Sequence, residues 1–177
     1  MKRTCDICLA TLGLIITSPL LALIALLIKL DSSGPVIFRQ IRVGQGFRPF
    51  AIRKFRTMVA NDSVGGPLVT VGRDCRITRI GHILRGLKLD ELPQLWNVLL
   101  GDMSLVGPRP EVPRFVECAR AEFAEVLTVR PGITDLASLK YIDEAAILAA
   151  SANPEEEYQH KVLPEKLRLA KLYIRHM

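Results

Sequence analysis

The chain opens on a stretch with no polar period at all and then settles into short segments of strand-like and helix-like alternation. Ile7 to Ile28 is 22 residues without a charge, about 33 Å as a helix, enough to cross the hydrocarbon core of a bilayer. A helix in a soluble core is rarely apolar on every side. Val36 to Val43 and Phe50 to Phe55 are rich in β-branched and aromatic residues and flank Gly44-Gln45-Gly46, which predicts a hairpin. Asn61 to Pro67 reads as a loop from its Gly, Asp, Ser and Pro content. Ile77, Ile80, Leu84 and Leu87 recur at helical spacing, and Leu92, Leu95, Trp96, Leu99 and Leu100 define a second helix that Gly101 should stop. The series Val112, Phe115, Val116, Ala119, Phe123, Val126, Leu127 predicts one long amphipathic helix closed by Pro131-Gly132. Helical patterns return over Asp143 to Ala150 and Pro164 to Ile174, with the polar Ser151 to Gln159 between them and no internal repeat. The expected fold class is α+β, mostly α with a small β-hairpin sheet, and these stripes are core rather than chemistry.

Two features complicate a simple crossing by the first segment. Pro19 cannot donate to the carbonyl of Ile15, so Ser18-Pro19, at the midpoint, predicts a kink. Lys2 and Arg3 precede the segment while Lys29, Arg39, Arg42 and Arg48 follow it, and the positive-inside rule places both flanks on the cytoplasmic side. A re-entrant helix-break-helix over residues 1–30, broken at Ser18-Pro19, satisfies both flanks, provided freed backbone groups find partners such as the Ser18 hydroxyl. A kinked spanning helix is the alternative, and a cleaved signal peptide fits less well because no small-x-small site precedes Lys29. Residues 31–177 then form one cytosolic domain, long enough to bury a core of its own.

Charge sharpens this division. The net +6 is uneven: Ser33 to Leu89 holds eleven Lys and Arg against two acids, whereas Asp90 to Met177 holds ten against fourteen. The basic part adjoins the membrane segment, where it suits anionic headgroups or a phosphate-bearing substrate. Nucleic acid is the other common partner of such charge, but no aromatic-interleaved basic stripe or DNA-binding motif supports it. Cys5, Cys8, Cys75 and Cys118 are too few and scattered for a disulfide scaffold, and Cys5-x-x-Cys8 lacks the second pair a zinc site needs.

Asp90-Glu91 is the pair that draws attention. Acids and a Pro such as Pro93 are common at helix starts for capping and dipole reasons alone. Their surroundings suggest more: eleven cations precede the pair, and Arg109 follows between Pro108 and Pro110, stiffened for clamping a phosphate. Two carboxylates amid cations suit Mg²⁺-assisted phosphate chemistry, in which Asp90 and Glu91 would be the metal ligands. His82, His160 and His176 belong to no motif, and the P-loop, dinucleotide and hydrolase signatures are absent.

The run Ile77-Thr78-Arg79-Ile80-Gly81, then Leu89-Asp90-Glu91-Leu92-Pro93-Gln94-Leu95-Trp96-Asn97-Val98-Leu99, then Met103-Ser104-Leu105-Val106-Gly107-Pro108-Arg109-Pro110 closely resembles the bacterial sugar transferases called monotopic phosphoglycosyl transferases. Ser33-Gly34-Pro35-Val36-Ile37-Phe38-Arg39-Gln40, Lys54-Phe55-Arg56-Thr57-Met58 and Arg130-Pro131-Gly132-Ile133-Thr134 match the same family. The resemblance implies transfer of a sugar-1-phosphate from a UDP-sugar to polyprenyl (undecaprenyl) phosphate with release of UMP, at the cytoplasmic face of the bacterial inner membrane. That would be the first membrane step in making a surface glycan such as an exopolysaccharide or lipopolysaccharide. It further implies Asp90 as nucleophile, Glu91 supporting Mg²⁺ and the reacting phosphate, Arg85 and Arg109 near the phosphates with Lys54 a further candidate, and Ser18-Pro19 as the break of a re-entrant membrane helix. Membrane lipid is the expected surface partner, nucleic acid is not expected, and a homo-oligomer is compatible. Lys88 stands where many members carry a small hydroxyl residue, and Asp135-Leu136-Ala137-Ser138 departs from the family's usual run, so the donor sugar is not legible. Two other readings remain: a membrane phosphohydrolase using the same aspartyl step with water as acceptor, and a non-catalytic adaptor whose basic half binds anionic lipid.

Overall fold

The computed structural model describes residues 1–59, 74–141, 144–151 and 153–177; the loop read at Asn61 to Pro67 lies outside them, as does Asp143. Helix α1, Lys2–Asp31, is the apolar segment, long and apolar enough to cross a membrane. Only 11% of its most apolar window is buried against the protein, which separates it from a soluble core helix and marks it as a membrane-association element. Helical conformation runs through Pro19 without interruption. The one carbonyl that Pro19 leaves without its amide, that of Ile15, accepts from the Ser18 hydroxyl at 2.8 Å, and Thr17 makes the corresponding contact to Gly13 at 2.7 Å.

Both ends of α1 dock on the same domain. Near its start, Arg3 donates to the carbonyls of Val98 and Leu99 at 2.7 and 3.2 Å. Asp6 accepts from the Ser104 hydroxyl at 2.8 Å and the Leu105 amide at 3.3 Å. Near its end, Ile24 and Ile28 pack with Phe55 and Leu84, and Asp31 accepts from the Ile80 amide at 3.1 Å. Buried Arg56 then fixes the exit turn, donating to the carbonyls of Ser32 and Pro35 at 2.6 Å each.

The predicted hairpin forms as β1, Ile37–Val43, and β2, Pro49–Phe55, antiparallel with Ile37 opposite Phe55 and Val43 opposite Pro49. Helix α2, Arg79–Gly86, is capped by Thr78, whose hydroxyl accepts from the Gly81 amide at 3.0 Å. Gly81 is required there: a Cβ would lie 2.1 Å from the Thr57 carbonyl oxygen. The expected helix over Leu92 to Leu100 is shorter. Leu89–Glu91 forms a separate 3₁₀ turn, and α3 spans Gln94–Leu100 with Pro93 as its N-cap and Gly101, at φ 93°, ending it. Neither Asp90 nor Glu91 therefore caps α3. Asn97, fully buried, ties α3 to β2 by donating to the Ala51 carbonyl at 2.8 Å and accepting from the Arg53 amide at 3.0 Å.

A second sheet, not foreseen from the sequence, pairs β3, Ser104–Val106, in parallel with β4, Gly132–Thr134. These strands are too short for a period of two to register. Gly107 and Gly132 let them approach, since a Cβ on Gly132 would fall 2.1 Å from the Gly107 nitrogen. The single helix expected over Val112 to Leu127 is instead two, α4, Pro113–Cys118, and α5, Arg120–Val126, broken where Ala119 takes φ −128°, ψ 40°. Its apolar face is nevertheless as read, because Phe115, Val116, Phe123, Val126 and Leu127 all enter one core. Helices α6, Leu136–Lys140, α7, Glu144–Ala149, and α8, Pro154–Glu157, lead through a π-helical turn, Tyr158–Val162, into α9, Leu163–Arg175. The polar stretch expected to separate helices thus carries helical turns, and Tyr158 within it is buried in the core with Leu148, Val162, Leu163 and Leu167. Among the described residues the chain is mostly helical with two two-stranded sheets.

Candidate active site

Strand β2, the 3₁₀ turn before α3 and the loop after β3 bring Lys54, Glu91 and Arg109 into contact. Lys54 Nζ donates to Glu91 Oε1 at 2.9 Å, and the Arg109 guanidinium donates to both carboxylate oxygens of Glu91, the longer of the two bonds being 3.2 Å. Burial alone would raise the pKa of Glu91, but Arg109 and Lys54 outweigh it and hold the group well below the usual carboxylate range. The same burial depresses Lys54, reinforced by Arg109, while Glu91 holds Arg109 above its ordinary value. Glu91 is thus a fixed anion between two cations.

Asp90, its chain neighbour, is placed differently. It is buried at 9% exposure and makes no ion pair among the described residues. Desolvation raises its pKa; Lys54 and Arg85 draw it down and Glu91 pushes it up, for a net rise. The 3₁₀ turn that carries both acids begins at Lys88, whose φ of 58° is left-handed. Arg85 donates to the Thr57 hydroxyl at 2.8 Å, which anchors it to the β2 exit and leaves its charge within reach of Asp90.

Arg109 is held from behind as well. Its amide donates to Asp135 Oδ2 at 3.1 Å, and the other oxygen of Asp135 accepts from the Ser138 amide at 2.7 Å as the N-cap of α6. Beside it, Glu111 accepts from the Tyr158 hydroxyl and lies 3.7 Å from Arg42. Burial and Glu111 hold that phenol far above its ordinary pKa, so it stays a donor. A cleft of about 540 Å³ opens over these groups, lined by Glu91, Arg109, Lys88 and Arg42 together with residues of α6, α7 and α9. Of the residues singled out from the sequence, Lys54, Glu91 and Arg109 meet directly, and Asp90 and Arg85 flank them. Ser18 and Pro19 lie in α1, apart from this cluster. Glu111, Asp135, Arg42 and Asn97 were not anticipated. The bonds that bring Arg42, Asn97 and Asp135 to this region span 26 to 68 residues of chain, and no local period signals such contacts.

No cluster of three or more potential metal ligands occurs among the described residues. The arrangement offers two adjacent carboxylates, one of them without an ion pair among the described residues, with Lys54, Arg85 and Arg109 around them. Such a set suits phosphoryl chemistry with a carboxylate nucleophile.

The chain is 48% identical over 144 residues to the UDP-glucose:undecaprenyl-phosphate glucose-1-phosphate transferase of Caulobacter vibrioides, covering 78% of this chain and 53% of that protein. It is 46% identical over 142 residues to the UDP-N-acetylgalactosamine-undecaprenyl-phosphate N-acetylgalactosaminephosphotransferase of Aeromonas hydrophila, covering 78% and 34%. The exopolysaccharide production protein PSS of Rhizobium leguminosarum bv. phaseoli is 44% identical over 147 residues, covering 79% and 74%. The match thus spans about half of the first relative and about a third of the second. A sequence model described as bacterial sugar transferase matches residues 1–176, taking in α1 and the Asp90 site together, and the chain belongs to that family.

Proposed function

We propose that this chain transfers a sugar-1-phosphate from a UDP-sugar to polyprenyl phosphate, with undecaprenyl phosphate as acceptor, releasing UMP in an opening membrane step of surface-glycan synthesis. The observation that carries this reading is the contrast between neighbours: a buried Asp90 with no ion pair among the described residues beside a Glu91 locked between Lys54 and Arg109. A carboxylate lifted in basicity and free of a counter-ion is suited to attack, and fixed cations beside it are suited to the charge that builds on a phosphoryl group.

An Asp90 oxygen attacks the β-phosphorus of the donor. The bond from that phosphorus to the oxygen bridging the two phosphates breaks, and UMP departs with that oxygen. A sugar-phosphoryl aspartate remains. A phosphate oxygen of the polyprenyl phosphate then attacks the same phosphorus, the bond to Asp90 breaks, and the carboxylate is restored. One diphosphate linkage is lost and one is made, so the exchange is nearly balanced. Lys54 and Arg109, oriented by Glu91, neutralise the non-bridging oxygens, and Arg85 does so from the Asp90 side.

The donor set also fits Mg²⁺, which takes one or two carboxylates and completes its shell with substrate oxygens and water. Asp90 and Glu91 are the residues that would hold it. When bound, the ion supplies further charge neutralisation at the diphosphate.

Docking of both ends of α1 on one domain supports a segment that enters and leaves on the same face over a straight crossing, with the bend at Ser18-Pro19 taken up inside continuous helix rather than at a break. A helix of 30 residues is about 45 Å long, and a domain on one side of a bilayer cannot hold both ends of a straight crossing. With the basic segment beside it, the domain rests on the cytoplasmic face, where a water-soluble donor and a lipid acceptor meet at one site.

The test is turnover of the purified chain in nanodiscs with UDP-sugars, undecaprenyl phosphate and Mg²⁺, with the lipid product identified. A lipid diphosphate-sugar that disappears with Asp90→Asn is expected. Free sugar phosphate would point instead to hydrolysis, and no turnover with any donor would favour a non-catalytic lipid-binding role.

A further inference from the structure

Resting on the transferase reading, we infer that Lys166 of α9, with Glu144 and Ser138, forms the wall that reads the donor's sugar. Similarity does not name that sugar, since the chain is about equally identical to a glucose-1-phosphate transferase and an N-acetylgalactosaminephosphotransferase. The discriminating side chains must lie in the cleft itself.

All three residues line the cleft over Glu91 and Arg109. Lys166 is paired with Glu144, its side chain 13% exposed, and its ammonium lies 4.8 Å above the Tyr158 ring and 3.4 Å from the Tyr158 hydroxyl. The Ser138 hydroxyl is itself shielded from solvent and has no hydrogen-bond partner among the described residues. A buried polar atom without a partner costs free energy unless a ligand or water completes it. A sugar's hydroxyl and acetamido groups both donate and accept, and the Lys166–Glu144 pair on the cleft wall offers both functions.

Position favours the sugar over the nucleoside. Asp135 binds the Arg109 amide with one oxygen and the Ser138 amide with the other, so Ser138 is held at a fixed offset from the phosphate clamp. The sugar is bonded directly to the phosphoryl group that Asp90 attacks, whereas the uridine lies one phosphate further on. The cleft presents its polar wall next to the Glu91–Arg109 clamp, the side assigned to the sugar ring. The wall is drawn from the C-terminal elements α6, α7 and α9.

The test measures kcat/KM for UDP-glucose, UDP-galactose, UDP-N-acetylglucosamine and UDP-N-acetylgalactosamine with undecaprenyl phosphate, and inhibition by UMP, in the wild type, Lys166→Met, Lys166→Arg and Ser138→Ala. Lys166→Met is expected to erode discrimination between the best and second-best donors by about tenfold or more, chiefly through KM, with UMP inhibition unchanged and Lys166→Arg restoring part of the preference. An equal loss for every donor would make Lys166 merely structural and overturn the inference. Weakened UMP inhibition would assign the wall to the nucleoside and overturn it too. A wild type that turns over no donor would instead remove the transferase reading itself.

Discussion

Asp90 and Glu91 are consecutive carboxylic acids whose pKa values move in opposite directions. Burial lifts Asp90, while Arg109 and Lys54 overcome the same burial at Glu91 and hold it low. Two titratable neighbours driven apart by their surroundings are a signature of divided labour, one group reacting and the other organising charge.

The first consequence concerns stability. Because the folded protein raises the pKa of Asp90, it binds that proton more tightly than the unfolded chain does, and its stability falls as pH rises through the interval between the two values. Asp90→Asn is therefore expected to raise Tm at pH 7.5, with the gain shrinking as pH falls toward about 4, the ordinary value for an aspartate. Thermal unfolding in detergent at several pH values measures it.

The rate should carry the same imprint. Single-turnover UMP release is expected to decline on the acid side at a pH above the ordinary aspartate range of about 4. Lys54 draws the Asp90 pKa down, so Lys54→Met moves that limb to still higher pH. A limb that stays in place would detach Lys54 from the nucleophile.

Glu91→Gln leaves Arg109 and Lys54 facing each other without their shared anion. Arg109 retains 33% side-chain exposure, so the destabilisation should fall between that of exposed and fully buried pairs, about 2 kcal/mol. Loss of the oriented clamp should lower kcat by about 10²–10³-fold. Denaturant unfolding and steady-state kinetics separate the two effects.

Gly132→Ala tests the junction that carries Arg109 to the site. Its new Cβ would meet the Gly107 nitrogen at 2.1 Å and the Gly107 oxygen at 2.4 Å, so β3 and β4 must part. A loss of at least about 1–3 kcal/mol is expected from such overpacking, with activity falling in parallel.

Topology is checked with single cysteines at positions 2 and 33 in a background freed of Cys5, Cys8, Cys75 and Cys118. Both should react with an impermeant maleimide only after the cells are opened. Labelling from opposite sides would contradict the re-entrant reading.

Much of this was written locally. The uncharged run, the hairpin around Gly44-Gln45-Gly46 and the α2 and α9 stripes follow from period and turn residues, and Asp90, Glu91 and Arg109 stood out by their company. What local pattern does not carry is the break at Ala119, the three-residue strands β3 and β4, and the helical turns over Ser151 to Gln159, all decided by tertiary packing. Nor could it show that Glu91 rather than Asp90 takes both cations, which come from segments far apart in sequence. The bond from the Arg109 amide to Asp135 is likewise a long-range contact with no periodic trace.

The central claim is that Asp90 becomes covalently bonded to the sugar phosphate. Intact-protein mass spectrometry after brief incubation with a UDP-sugar and Mg²⁺, without lipid acceptor, reads this directly. The expected result is a mass gain of one sugar phosphate that maps to the peptide containing Asp90, is absent in Asp90→Asn and is discharged by adding undecaprenyl phosphate. An unmodified mass in enzyme that turns over, or an adduct that survives in Asp90→Asn, would contradict it.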